Sequence, residues 1–451
     1  MALPAATAQQ ALIAFHRFGL GARPGGAASI AKDPKGALIA ELQNRKGALI
    51  QTAGLPTYGG ACFQAQSGWD HAEALRQKEL AARIDKQMEA EVGFVERLVI
   101  FWSNHFSMTV NKDETIRGTI GQWERDVIRK NVLGHFGPML RGTIQHPAML
   151  AYLDNADSIG PNSKTGKDWG AGYNENLGRE LMELHTVGSG GGYTETDVTQ
   201  MAKILTGWSF VRAWESDGHY NGGTKENRGR FIYRYNWHEP GAITLMGKKY
   251  PPTAMDQAIA VLDDLAVHPA TAEHIAFKLV RHFITDEPTP AMVDKLKDRY
   301  LATNGSLMAV YLALINLPEA WTLPLTKLRT PYEMSVAQFR ALGRRYKDDD
   351  TWAFSEPLNA LYNMAWEAPS PEGYSDDSAT WLNPDAMRIR IDTAQFASWQ
   401  LADDTKKNPV QLANALFDSA LSQATRERLA NCGSNNNGLT VLFSCPEFQR
   451  R

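Results

Sequence analysis

A mainly α fold is what this chain's sequence predicts: one large multi-helical domain over residues 1–451, with a small β-hairpin inserted near 230–250. Apolar residues recur at spacings of three and four in segment after segment, whereas strict alternation is confined to two short stretches. The composition agrees, since 43% hydrophobic and 22% charged residues over 451 positions are enough to bury a sizeable core.

In chain order, helical periodicity marks Ala37–Leu49, Ala72–Ile100, Ile120–Asn131, Asn176–His185 and Asp197–Thr206. It continues through Met255–Leu265, Ala270–Phe283, Ala291–Leu301, Ser306–Leu314, Pro331–Leu342 and Val410–Ala420. Alternation marks Arg230–Asn236 and Thr244–Tyr250, read as the two arms of the hairpin. Two loops interrupt the helices, Asp157–Tyr173 and Ala365–Thr380, and a weak subdivision near 325 is compatible with the pattern. Loops of about 15 residues are uncommon in compact domains and often bind ligands. Pro-Glu at 318–319 and again at 446–447 reads as a pair of helix first turns, where proline's missing N–H costs nothing and a carboxylate meets the dipole.

Charge excludes two classes of function. With 47 Lys+Arg against 50 Asp+Glu the formal charge is -3, so no global field favours nucleic acid or an anionic membrane. No apolar run approaches the ~18 residues a bilayer span needs. The first cation is Arg17, so the N-terminus as written carries no basic signal region and predicts a cytoplasmic or already processed protein. Of three cysteines, only Cys432 and Cys445 flank a loop a disulfide could close, and no zinc spacing occurs.

The densest polar segment is Asn174-Glu-Asn-Leu-Gly-Arg-Glu-Leu-Met-Glu-Leu-His185. On a helix of about 100° per residue, Leu177, Leu181 and Leu184 form the buried stripe, while Glu175, Asn176, Arg179 and Glu183 take the opposite face. Glu180 falls on the border, where partial desolvation raises a carboxyl pKa; Glu183, one turn from Arg179, is expected to pair with it. Two acids in unlike surroundings suit general acid/base chemistry, although ordinary i,i+4 pairing explains the same residues. His105 shares a face with Phe94, Leu98, Phe101 and Trp102 and is expected to be buried. Asp154 and Asn155 stand at a helix end that opens into the first long loop, and Tyr235-Asn-Trp-His238 reads as a turn. Trp366 and Trp381 bracket the second long loop, where they either stack on sugar rings or pin the loop. Phosphate loop, dinucleotide fingerprint, GxSxG elbow and HExxH are all missing from the sequence.

Together, Phe101-Trp-Ser-Asn-His-Phe106, His146-Pro-Ala-Met-Leu with Tyr152-Leu-Asp-Asn155, the Asn174–Thr186 string, Gly191-Gly-Tyr-Thr194 with Asp197, Leu205-Thr-Gly-Trp208 and Pro446-Glu-Phe-Gln449 resemble the domain-of-unknown-function 1800 family, in order, from about Phe15 to Arg450. One departure is Leu361-Tyr-Asn-Met-Ala-Trp366, where the family tends to read Pro-Pro-Asn-Val-x-Gly-Trp. The resemblance implies a bacterial protein encoded beside a sulfatase-like partner that bears a twin-arginine export signal, and hence a periplasmic or secreted destination that the N-terminus does not itself predict. No activity comes with the family.

The functional expectation is a carboxylate-dependent hydrolase acting on a glycan. Glu180 is the general acid, Glu183 or Asp154 the second carboxylate and Arg179 their electrostatic partner. Substrate contacts are assigned to His105, Asn155, Asn174, Asn176, Tyr193, Trp208, His238, Trp366 and Trp381. No cofactor is expected; a divalent metal held by His105, Glu180, Glu183 or His185 is a subordinate variant. The alternative is a non-catalytic scaffold or export and maturation partner of the co-encoded protein, in which the polar string is a buried network specifying packing.

Overall fold

Helices account for most of the chain in the computed structural model, which describes residues 5–215, 223–224, 226–346, 351–401 and 407–451. Their apolar faces meet in one large hydrophobic cluster whose members run from Ala11 to Phe448 and include the fully buried Trp102, Trp123 and Trp208. Among the described residues, no helix is long and apolar enough to cross a membrane.

The later periodic segments form helices close to their expected bounds: Met255–Ala266, Pro269–Phe283, Pro290–Ala302, Leu307–Asn316 and Pro331–Leu342. Thr330 opens the last of these with a reciprocal capping box to Glu333. Both Pro-Glu pairs sit at the start of short helices, Glu319–Thr322 and Pro446–Gln449.

Ala72–Ile100 is not one helix. Trp69–Glu89 stops, and Phe94–His105 begins after Gly93, whose φ of 93° is the left-handed conformation glycine tolerates best. The Glu41 carboxylate fastens the restart, accepting from the backbone N–H groups of Val92 (2.7 Å), Gly93 (3.0 Å) and Phe94 (2.7 Å). A carboxylate brought from a distant helix caps this break, so the local pattern runs straight through it.

The small hairpin is present, and only the pairing of its expected first arm differs. Phe231–Tyr233 pairs antiparallel with Trp208–Phe210, while Ile243–Leu245 and Lys248–Tyr250 make a separate hairpin around Met246-Gly247. Trp208 therefore lies in a strand at 0% exposure. The first long loop contains a short helix, Lys164–Trp169, and the second closes in a 3-10 turn, Ser378–Trp381. Cys432 and Cys445 are free thiols, so the bridge that their loop would allow is not formed.

Candidate functional site

The polar string begins as an α-helix, Asn176–Glu180, and widens into a π-helical turn, Leu181–His185. The Thr186 hydroxyl donates to Leu181 O (2.6 Å) and Gly188 N–H to Met182 O (3.0 Å), which stabilises the wide turn. Fewer degrees per residue turn His185 fully inward and leave Leu184 half-buried, correcting the stripe in which Leu184 was expected to be buried. Turns of this kind recur at functional sites.

Glu180, just before the wide turn, is half-buried, and among the described residues it makes no hydrogen bond or ion pair. Burial and the neighbouring Glu183 push its carboxyl pKa up, against a smaller opposing pull from Arg179. Burial and the nearby Glu183 carboxylate raise the Tyr193 phenol pKa. Burial and the Glu180 charge raise the Tyr152 phenol to about 12. Lys112 donates to Tyr152 O (2.6 Å) and pairs with Asp154 at 2.7 Å, linking Asp154 to this group. Asp154 holds a left-handed backbone, φ 56°.

Arg179 does not pair with Glu183 as expected. It makes two hydrogen bonds to Glu195 (2.9 and 2.8 Å) and a longer contact to Glu175 (3.6 Å). Glu195 lies after the glycine turn, outside the helical wheel from which the expectation came. The charges of Glu180, Glu183 and Arg179 act on one another and on the Tyr193 phenol, forming one acidic face. Asn174 and Asn176 sit at its helix start, where the Asn174 side chain accepts from Asn176 N–H (2.8 Å).

His105 lies beneath this face, fully buried as expected, with Nε2 donating to His185 O at 3.1 Å. Burial drives its pKa far below that of a free imidazole and takes His185 down to about 3, with the Lys278 charge acting in the same direction. Both rings are neutral. His105 is therefore a packed residue of the floor rather than a substrate contact. Asn155 is likewise structural, at 0% exposure, its amide donating to Leu205 O (3.1 Å) and Trp208 O (2.9 Å). Trp208 has no face free for stacking. His238 belongs elsewhere, in a groove with Asn162, Lys164, Lys167 and Tyr235.

Trp366 belongs to a different place, a narrow cleft between the end of helix Phe94–His105 and the second long loop. None of Glu180, Glu183, Asp154 and Arg179 lines it. Its walls are two closed ion-pair networks. On one side Glu124 accepts from Ser103 (2.8 Å), the Trp366 indole (3.1 Å), Arg83 (3.1 Å) and Arg129 (3.3 Å), and Arg129 grips Glu96 with two bonds of 2.7 and 2.9 Å. Burial would raise the Glu124 pKa; these cations outweigh it and hold it low. On the other side Glu333, at 0% exposure, lies between Arg97 (3.0 Å) and Arg451 (2.8 Å), which overcome burial and bring it to about 2. Trp381 pins the loop, its indole donating to Ser375 O at 3.1 Å, and offers no stacking face to the cleft.

His282, Asp376 and Ser107 also line this cleft, which suggests a nucleophile triad. The hydrogen bonds argue against it. Arg97 can only donate, so the 3.2 Å contact makes His282 Nε2 an acceptor already in use, while Nδ1–H donates to Asp376 (2.6 Å). No lone pair is left for Ser107. Sequence reasoning missed Arg83, Glu124, His282, Glu333 and Asp376 because their partners are distant in the chain. The one local signal was His274, Lys278 and His282 at i, i+4 and i+8, a polar stripe on helix Pro269–Phe283. Among the described residues, no group of three or more His, Cys, Asp or Glu is placed to hold a metal ion.

Residues 13–450 match the family model described as protein of unknown function (DUF1800). No curated protein and no solved structure matches the chain.

Proposed function

The chain belongs to the DUF1800 family, and from that premise we propose that it is a carboxylate-dependent hydrolase whose site is the acidic face, with a glycan as its preferred substrate class. One observation carries the reading: Glu180 is a half-buried carboxyl with a raised pKa and no hydrogen-bond or ion-pair partner among the described residues, set beside Glu183, whose charge acts on it. A raised pKa favours the protonated carboxyl, which can protonate a leaving-group oxygen, and a neighbouring carboxylate can activate water. Glu180 takes the first role and Glu183 the second. Asp154, paired with Lys112, shapes the edge of the site, and Arg179, neutralised by Glu195, orders the Gly188–Thr194 turn rather than substrate charge.

The test compares wild type with Glu180→Gln on a panel of aryl glycosides and soluble polysaccharides. Wild-type turnover that Glu180→Gln lowers by about 10²-fold or more supports the assignment. A Glu180 carboxyl that titrates at or below an ordinary glutamate in isotope-edited infrared spectra refutes it.

A second reading, a scaffold or maturation partner for a co-encoded sulfatase-like protein, is favoured by the two closed networks around Glu124 and Glu333. Their charges are buried and internally paired, as packing devices are.

A further inference from the structure

Arg83 lines the narrow cleft beside Trp366 and is 3% exposed. Its guanidinium lies 4.7 Å from the ring centre of Tyr332 and 5.3 Å from that of Trp366, both of them cleft walls. Nε donates to Glu124 (3.1 Å), but among the described residues the buried Nη1 meets no acceptor. A buried guanidinium N–H without an acceptor is uncommon and costly, so its place in a cleft wall points to an acceptor that enters from outside.

Two more donors line the same cleft. Asn363, also 3% exposed, accepts from Tyr332 N–H (2.9 Å) through Oδ1, which fixes the orientation of its amide and leaves Nδ2 without a partner among the described residues. Tyr332 thereby brings Arg83 and Asn363 together, one on its ring and one on its backbone. The Ser107 hydroxyl has no hydrogen-bond partner among the described residues either. Between these donors the lining is apolar, with Met108, Met364, Ala365 and Ala368.

Charge decides what kind of acceptor fits. Arg83 and Arg129 are balanced by Glu96 and Glu124. On the other side Arg97, Arg329, Arg390 and Arg451 all act on the one carboxylate of Glu333. Asp376 adds a second acid there, and Lys327 is matched by Asp286. That side therefore keeps an excess of buried positive charge, which one ligand anion offsets.

We propose that the cleft binds a small monocarboxylate with a short aliphatic tail. Its carboxylate, which has room for up to about four hydrogen bonds, accepts from Arg83 Nη1, Asn363 Nδ2 and the Ser107 hydroxyl, and its tail rests on the methionines and Trp366. This site is separate from the acidic face and does not depend on the hydrolase reading.

The experiment titrates the intact protein with sodium butyrate against chloride at constant ionic strength and reads binding by saturation-transfer difference NMR, with butyramide as the neutral isostere and inorganic phosphate as competitor. The expected result is saturable butyrate binding with a Kd of about 1 mM or below, at least about ten-fold tighter than butyramide and not displaced by equimolar phosphate. Asn363→Asp keeps an acceptor for Tyr332 N–H but replaces the Nδ2 donor by a negatively charged oxygen, and should weaken butyrate at least about ten-fold. Ser107→Ala loses no hydrogen bond among the described residues, so it should fold as wild type and weaken butyrate about three-fold or more. Melting curves establish that each variant is folded. No saturable signal up to about 20 mM, as a cleft holding only water gives, overturns the proposal. So do equal affinity for butyramide, displacement by phosphate, and unchanged butyrate affinity in Ser107→Ala or in folded Asn363→Asp.

Discussion

Moving the protein from pH 7.5 to pH 5.5 should remove several kcal/mol of stability, through histidines that fold in the neutral form. Burial lowers His146 and His185 to about 3 and His274 and His282 to about 4, from an ordinary value of 6.5. A depressed histidine makes the unfolded chain the better proton binder, so stability is complete above the unfolded pKa and is lost as pH falls from 6.5 toward the folded value. Over the chosen range each of these side chains goes from about a tenth to about nine-tenths protonated when unfolded and stays neutral when folded, at a cost of about 1.4 kcal/mol. Four such groups make about 5 kcal/mol, and His16 and His105, also held far below their usual range, act in the same direction. Glu79 and Glu180 oppose them, because their raised carboxyls take up protons more readily in the folded state. A net loss of at least about 3 kcal/mol is expected, a large part of a typical domain's stability. Urea unfolding at pH 7.5, 6.5 and 5.5 and constant ionic strength, followed by tryptophan fluorescence and circular dichroism together, measures it. A change below about 1 kcal/mol, or a gain, would refute the buried neutral histidines.

Glu180→Gln should leave the melting temperature unchanged or raise it, since it removes a desolvated acid that the Glu183 charge repels; a clear drop in thermal scans would contradict this reading of the acidic face. Glu333→Gln leaves Arg97 and Arg451 facing each other without a charge between them and should cost about 3–5 kcal/mol by chemical denaturation; a neutral result would show that this network is not structural. Glu41→Ala strips the cap from the Val92–Phe94 turn and should cost about 2 kcal/mol, with faster amide exchange at those N–H groups; unchanged exchange there would show that Glu41 does not hold the helix restart.

By itself the sequence determined the class of fold, most helices and the family resemblance. Those are short-range properties: a helix shows its buried face through residues three and four apart, and caps and turns lie within a few positions of what they end. The reading failed where a distant residue decided a local outcome. Glu41 breaks the helix at Gly93, Glu195 takes Arg179 from Glu183, and Trp208–Phe210 claims the strand expected to pair with Thr244–Tyr250. A wide turn at Leu181–His185 moved Leu184 off its stripe, which a fixed angle per residue does not foresee. Of the cleft the sequence marked the second long loop and Trp366, and the charged walls lay outside its reach. Arg97 finds Glu333, and His282 finds Asp376, across long stretches of chain, and only close packing takes such groups out of water and makes pairing obligatory.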